Sequence, residues 1–249
     1  MSAPVSDTES RRRYDAWHSA LAEDAGAEAP WHTLLQPHFR TRVPGADVLE
    51  IGCGRGGLAL RLWHAGPRRL ISADFSPVAV EKARAFLDSR GAIDVETRVE
   101  DILRMSFGDS SFDVVISCET IEHVVDPVRA VRELARVLRP SGTLLLSTPN
   151  YLGLHGLHRA YRRLLGRPYS ELGQPINKLV LAPRTARWLT QSGLSIECRL
   201  GDGLYIPVPR AEGPLRVPLS PRLNQLLRPL LVHSAFVAHK PGDRVATDD

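Results

Sequence analysis

At 249 residues and 43% hydrophobic, the chain can bury one substantial core, so it reads as one domain with decorations and not as two separate domains. Its 32 basic and 28 acidic side chains leave a net charge of +4 and an isoelectric point near 9.2, too mild a balance to demand a polyanionic partner. Cys53, Cys118 and Cys198 are odd in number, far apart and without a C-x-x-C pair, which excludes a readable disulfide framework or zinc finger and fits the reducing cytoplasm. No apolar stretch follows a basic start and no run approaches the roughly 20 apolar residues of a membrane span, so a soluble protein is expected.

Residues 1–12 are polar and run into Arg11, Arg12 and Arg13, the pattern of a frayed terminus. YDAWHSALAEDAG and PWHTLLQPHFR then carry aromatics at helical spacing and predict two short helices before the first strand. From Asp47 the pattern becomes strand, turn, helix, repeated: DVLEI and a helix over 57–64, then RLISAD and SPVAVEKARAFLDSRG, with Ser76 as N-cap, Pro77 in the first turn and Gly91 closing it. IDVETRV, FDVVIS, the helix DPVRAVRELARVL opened by Asp126 and Pro127, and GTLLLSTPN follow. Such alternation predicts a parallel sheet, and the near-continuously apolar strands predict cover on both faces. After Asn150 come a basic stretch LHGLHRAYRRLLGRPY, a loop, a helix PRTARWLTQSG and the strands LSIECRLG and LVHSAFVAHK; the tail PGDRVATDD reads as disordered.

Between the first strand and first helix lies EIGCGRGG, residues 50–57. Glycines there let backbone N–H groups approach a ligand with no Cβ in the way, and the helix N-terminus adds its positive dipole end. The stretch satisfies both G-x-G-x-x-G and G-x-G-x-G, so by itself it leaves a dinucleotide site and an S-adenosylmethionine site open. Asp74, at the end of the second strand, is placed to accept ribose hydroxyls, and Asp101, after the third, to meet an adenine amino group. The plain alternatives are a tight turn without a ligand for Gly52 and Gly54, and a solvated loop acid for Asp101.

VLEIGCGRG, ISADFS, VEDI, FDVVISCETIEHV and LRPSGTLLLSTPN together resemble successive motifs of the class I S-adenosylmethionine-dependent methyltransferases, over residues 48–150. E-x-x-E-H after the fourth strand, VLAPRTARWLTQSGLSIECRLGDGLYIP and SAFVAHKP are most similar to the ubiquinone-biosynthesis O-methyltransferases. The resemblance implies an α/β, Rossmann-like seven-stranded sheet in the order 3-2-1-4-5-7-6, strand seven antiparallel, with helices on both faces. It implies S-adenosylmethionine as cofactor, with Glu50, Gly52, Cys53 and Gly54 near the methionine part, Asp74 and Phe75 at the ribose, Asp101 and Ile102 around adenine, and Cys118 beside them. The chain then divides into an N-terminal helical cap (1–45), a cofactor-binding core (46–150), a variable substrate lid (151–182), the C-terminal part of the same sheet (183–240) and the tail (241–249). Ser141 stands where the family usually has a second glycine, which weakens the turn before strand five, and residues 151–178 diverge, so the substrate does not carry over.

CETIEHV puts two carboxylates and an imidazole directly behind a buried strand. If residues 119–123 make one helical turn, Glu119, Glu122 and His123 share a face at the carboxyl end of strand four, where parallel sheets bind ligands. Three readings follow: His123 as the general base for a phenolic or alcoholic acceptor, all three as ligands of Mg²⁺, Mn²⁺ or Zn²⁺, or a solvated polar turn. His155 and His158 are candidate additions. The basic stretch over 155–167 places Leu157, Tyr161, Leu164 and Leu165 on one helical face and Arg159, Arg162 and Arg163 on another, the pattern of a lid or, across 152–169, of a foot on an anionic membrane. The activity expected is O-methylation of a small phenolic molecule of quinone-type or secondary metabolism. The alternatives are an RNA-end 2′-O-methyltransferase using the E-x-x-E-H cluster, an N- or C-methyltransferase of a small metabolite, and an inactive cofactor-binding partner. The mild charge and the lack of an appended RNA-binding module argue against nucleic acid.

Overall fold

The computed structural model describes residues 7–21, 29–166, 173–206 and 215–242. In chain order the elements are α1 (Asp7–Ala20), α2 (Pro30–Arg42), β1 (Asp47–Ile51), α3 (Gly57–His64), β2 (Arg69–Asp74), α4 (Pro77–Ser89), β3 (Glu96–Val99), β4 (Phe112–Cys118), α5 (Pro127–Val137), β5 (Leu138–Pro149), α6 (Leu154–Leu164), α7 (Ala182–Gln191), β6 (Ser195–Asp202), β7 (Leu204–Ile206), β8 (Leu215–Val217), α8 (Pro221–Leu227) and β9 (His233–His239). Seven strands form one sheet in the order β3-β2-β1-β4-β5-β9-β6, and β9 runs antiparallel to both neighbours. This is the order the resemblance implies, with β9 as its seventh strand. β7 and β8 form a separate hairpin that the sequence pattern does not announce.

Strand side chains alternate between the faces, and both faces are filled. Leu49, Val115, Leu144 and Leu146 pack with α5 and α7 residues such as Leu134 and Leu189. Their neighbours Val48, Val114, Ile116 and Leu145 pack on the opposite face with Leu35 and Phe39 of α2 and Leu58 and Leu62 of α3. Continuous apolar runs were therefore required. The helix starts lie where the caps predict: Ser76 Oγ accepts from Ala79 N, and Asp126 Oδ1 accepts from Arg129 N at 3.0 Å.

The expected frayed start over 1–12 is corrected for the residues described. Helix α1 begins at Asp7 and takes in Arg11, Arg12 and Arg13. Arg12 and Arg13 both reach back to Glu9, and the Arg11 guanidinium lies 4.7 Å from the centroid of the Phe75 ring. Most of the predicted disordered tail, 243–249, lies outside the described residues.

Ser141 occupies the left-handed region, with φ at 64°, and Gly142 cannot be relieved of its own place because a Cβ there would lie 2.8 Å from the Arg139 carbonyl oxygen. A non-glycine residue in that region carries strain of about 1 kcal/mol or more. Ser141→Gly should therefore stabilise the protein by about 0.5–1 kcal/mol, read as an upward shift of the urea midpoint; an unchanged or lower midpoint would show that the turn is not strained.

Candidate functional site

β1 ends at Ile51, and the chain passes through Gly52, Gly54 and Gly56, all at positive φ, into the N-terminus of α3. Two groups hold this loop. The Ala73 carbonyl accepts from Gly52 N and Cys53 N, and the Asp74 carboxylate accepts from Gly54 N at 2.9 Å and from Ser76 N at 3.0 Å. Asp74 keeps further lone pairs for a ligand. Burial raises its pKa above the ordinary carboxylate value, against a lowering by His18. Glu50 is buried beneath the loop, accepts from Ser72 Oγ at 2.7 Å, and is pushed up to about 8 by desolvation. Burial also raises the Cys53 and Cys118 thiols, so both stay protonated at neutral pH.

Glu50, Asp74, the two thiols and the first turn of the loop open onto one cavity of about 600 Å³. Its polar end is lined by Glu50, Gly52, Cys53, Gly54, Asp74 and Phe75, with Asp101, Ile102, Cys118, Glu119, Glu122 and His123 around it. Asp101 Oδ1 also accepts from Leu103 N at 2.8 Å, which fixes the backbone beside Ile102.

The ionisable cluster is built differently from its expectation. Residues 119–123 do not make one helical turn: Glu119 sits at φ 49°, and only Ile121–His123 form a 3₁₀ turn. Glu119 Oε1 accepts from Ser147 Oγ at 2.8 Å, and the fully buried Glu122 accepts from Thr148 Oγ1 at 3.1 Å. His123 Nδ1 donates to the Ile176 carbonyl at 2.7 Å, since a carbonyl can only accept, and this puts its Nε2 3.4 Å from Glu122 Oε1. Among the described residues no group of three or more His, Cys, Asp or Glu side chains that could hold a metal ion is found. Glu119, Glu122 and His123 all line the cavity, with the two carboxylates held by different β5 hydroxyls.

The sequence pattern missed the roof and the far wall. Tyr14, Trp17 and His18 of α1 line the cavity, and Tyr14 Oη donates to the His123 backbone carbonyl at 3.1 Å. Lys82 Nζ, on α4, reaches the His18 carbonyl at 2.7 Å. Burial raises the Tyr14 hydroxyl well above the usual phenol. The far end is aromatic: Trp31 lies 5.4 Å from His233 and Tyr205 6.0 Å from it, centroid to centroid. Helical aromatic spacing in residues 14–18 and 31–39 was the available signal for the roof; Tyr205 and His233 offered none. Thr120 was missed as well, although a Cβ on Gly52 would lie 2.2 Å from its Oγ1.

The expected lid segment meets the cavity through His155, Gln174 and Ile176. None of the residues of α6 is buried, and Leu157, Tyr161, Leu164 and Leu165 face outward and not over the cavity. His155 is the part of α6 that lines the cavity, stacked on Tyr151 at 5.2 Å; His158 is not among the lining residues. Among the described residues no helix is long and apolar enough to cross a membrane.

Residues 49–146 match the family described as "Methyltransferase domain". A Mycobacterium tuberculosis protein named "Probable S-adenosylmethionine-dependent methyltransferase" is 37% identical over 119 residues, 48% of this chain and 41% of its own length. The "Ubiquinone biosynthesis O-methyltransferase" of Xanthomonas campestris is 37% identical over 132 residues, 50% of this chain and 54% of its own. The chain thus spans about half the length of the curated relatives it matches. The solved S-adenosylmethionine-dependent methyltransferase of Mesorhizobium loti shares the fold, with a TM-score of 0.58 over 83% of this chain and 98% of that one at 18% identity. The glycine loop, with acids at the neighbouring strand ends, fits the S-adenosylmethionine for which the first of these relatives is named.

Two measurements check the site. Gly52→Ala combines a side chain at φ 85° with the collision against Thr120, so S-adenosylhomocysteine affinity should fall at least tenfold by calorimetry while the fold persists; retained affinity would show that the loop yields. For Glu50 the sign follows from a folded pKa of about 8 against 4.5: the folded state holds the extra proton, so the contribution is favourable below about pH 4.5 and declines as pH rises towards 8. Glu50→Gln keeps the shape and removes the proton exchange. Its unfolding free energy relative to wild type, without cofactor, should grow between pH 5 and 8 by an amount of the order of a few kcal/mol; a flat difference would mean that Glu50 is not buried as a neutral acid.

Proposed function

We propose that the chain, whose residues 49–146 match a methyltransferase domain, is a class I S-adenosylmethionine-dependent O-methyltransferase acting on a small phenolic molecule. The observation that carries this reading is the setting of His123. Its Nδ1 is committed to the Ile176 carbonyl, so the ring nitrogen left to accept a proton is Nε2, on a residue that lines the same cavity as the glycine loop, Trp31 and Tyr205.

When bound, S-adenosylmethionine supplies an electrophilic methyl group on a sulfonium. The rest is the work of this chain. Trp31 and Tyr205 offer flat apolar surface to an aromatic acceptor, and a positioned acceptor oxygen gains most of its rate advantage from alignment alone. A phenol with a pKa of about 10 must still shed its proton at neutral pH. His123 Nε2 takes it, and Glu122, 3.4 Å away and shielded from water, steadies the imidazolium that results. Tyr14 and Ile176 hold the histidine in place from two sides, through its backbone carbonyl and its Nδ1. Release of the proton to solvent completes the cycle. The RNA-end alternative leaned on a metal cluster, and among the described residues no group of three or more His, Cys, Asp or Glu side chains that could hold a metal ion is found to favour it.

The test is S-adenosylhomocysteine formation with a panel of monophenols and catechols, set against amines and RNA ends. Turnover of phenols should continue in excess chelator, His123→Ala should cost about 10² to 10⁴ in rate, and Glu119→Ala should cost far less. Loss of turnover on chelation, restored by added divalent ions, would reinstate a metal; turnover of amines alone would reassign the target atom.

A further inference from the structure

Helix α1 turns one face to the cavity, where Ser10, Tyr14, Trp17 and His18 follow each other at helical spacing. Tyr14 is accounted for by the His123 carbonyl. His18 is not. It is 5% exposed, lines the same cavity as Asp74, and its Nδ1 is buried without a hydrogen-bond partner. The same holds for Ser10 Oγ, two turns earlier on that face. Buried polar atoms are normally paired, so orphans on two residues that line a cavity mark where a ligand, met by a small turn of the side chain, supplies the partner.

The chemistry of the partner can be narrowed. Around His18 stand Asp74 at the end of β2, Arg55 in the glycine loop, Lys82 on α4 and Asp15 on its own helix. Burial is the largest influence on the ring and lowers its pKa, so at neutral pH the imidazole is uncharged. An uncharged imidazole nitrogen suits a hydroxyl, which can give or receive a hydrogen bond, better than it suits a carboxylate or phosphate. Asp74, facing the same space, accepts only. A pair of neighbouring hydroxyls satisfies both.

We propose that His18 is a cofactor-binding residue that closes α1 over the ribose hydroxyls from the side opposite Asp74. This rests on the cavity being the S-adenosylmethionine site. α1 is already anchored to α4 by Asp15, which accepts from Ser76 Oγ, and by Lys82 on the His18 carbonyl. The same helix brings Tyr14 and Trp17 to the cavity wall and Tyr14 onto the His123 carbonyl, so gripping the ribose at His18 also steadies the surroundings of His123.

The experiment compares S-adenosylhomocysteine with its 2′,3′-dideoxy analogue by calorimetry on wild type, His18→Phe and His18→Asn, with amide exchange in α1 as a second readout. His18→Phe should weaken S-adenosylhomocysteine about three- to tenfold, leave the dideoxy analogue unchanged, and reduce the slowing of α1 exchange that the ligand produces in wild type. His18→Asn, whose amide can stand in for Nδ1, should recover most of the affinity. Equal losses for both ligands would assign His18 to packing and overturn the proposal, as would unchanged affinity for S-adenosylhomocysteine in His18→Phe. Failure of wild type to bind S-adenosylhomocysteine at all would instead overturn the cofactor site on which the proposal rests.

Discussion

The Asp74 carboxylate holds the site together. One of its oxygens takes the Gly54 N–H of the loop after β1, and the other takes the Ser76 N–H that opens α4. Two βα turns are thereby fixed to one side chain at the end of β2. Ser76 extends the link: its hydroxyl accepts from Ala79 N to cap α4 and donates to Asp15, which belongs to the roof helix α1. A half-buried carboxylate is costly unless several donors surround it, and here the donors are backbone groups that need fixing in any case. The acid that the resemblance assigns to the ribose therefore shapes the pocket before any ligand arrives.

What the sequence made legible was local. Ser76 with Pro77, Asp126 with Pro127, and the glycines of residues 52–57 state helix starts and a tight turn through atoms a few residues apart, and the structure has each of them in place. The cluster behind β4 was misjudged for a matching reason. Spacing of i, i+3 and i+4 gathers side chains only on a helix, whereas Glu119 N still continues the sheet by donating to the Ser147 carbonyl, and the chain then turns through a left-handed residue. Ladder hydrogen bonds from a strand far along the chain decided where the carboxylates point. No pattern within seven residues could carry that.

Helix α6 shows a second limit. Its periodicity correctly separates a leucine face from an arginine face but is silent on which one turns inward. Gly153 and Gly156 decide it: a Cβ on either would fall 2.1 Å from the Leu230 carbonyl oxygen or 1.7 Å from that of Tyr151, so the chain lies backbone to backbone on that side. Arg159 also turns inward, over the Tyr151 ring and onto the Asn177 carbonyl, while Leu164 is 86% exposed. The arrangement inverts the usual amphipathic assignment. Polar contacts to a carbonyl-rich loop outweigh the burial of leucines because the surface beneath α6 is irregular backbone with acceptors to satisfy.

The two ends of the cavity are consequently built by different means. The cofactor end stands on β1, β2 and the turns after them, elements held by ladder hydrogen bonds and by cores on both faces of the sheet. The acceptor end depends on pieces that meet around His123: its backbone carbonyl receives Tyr14 from α1, its Nδ1 reaches Ile176, and Lys178 N donates to the carbonyl of the neighbouring Glu122. If His123 is the base proposed, it is correctly aimed only when α1 and the segment after α6 are both seated. In the proposed reading, fold and cofactor binding rest on the geometry of a parallel sheet edge, whereas choice of acceptor rests on decorations that can be exchanged without disturbing it. That division is why the cofactor can be read from half of the chain, while the acceptor has to be argued from the other half, one contact at a time.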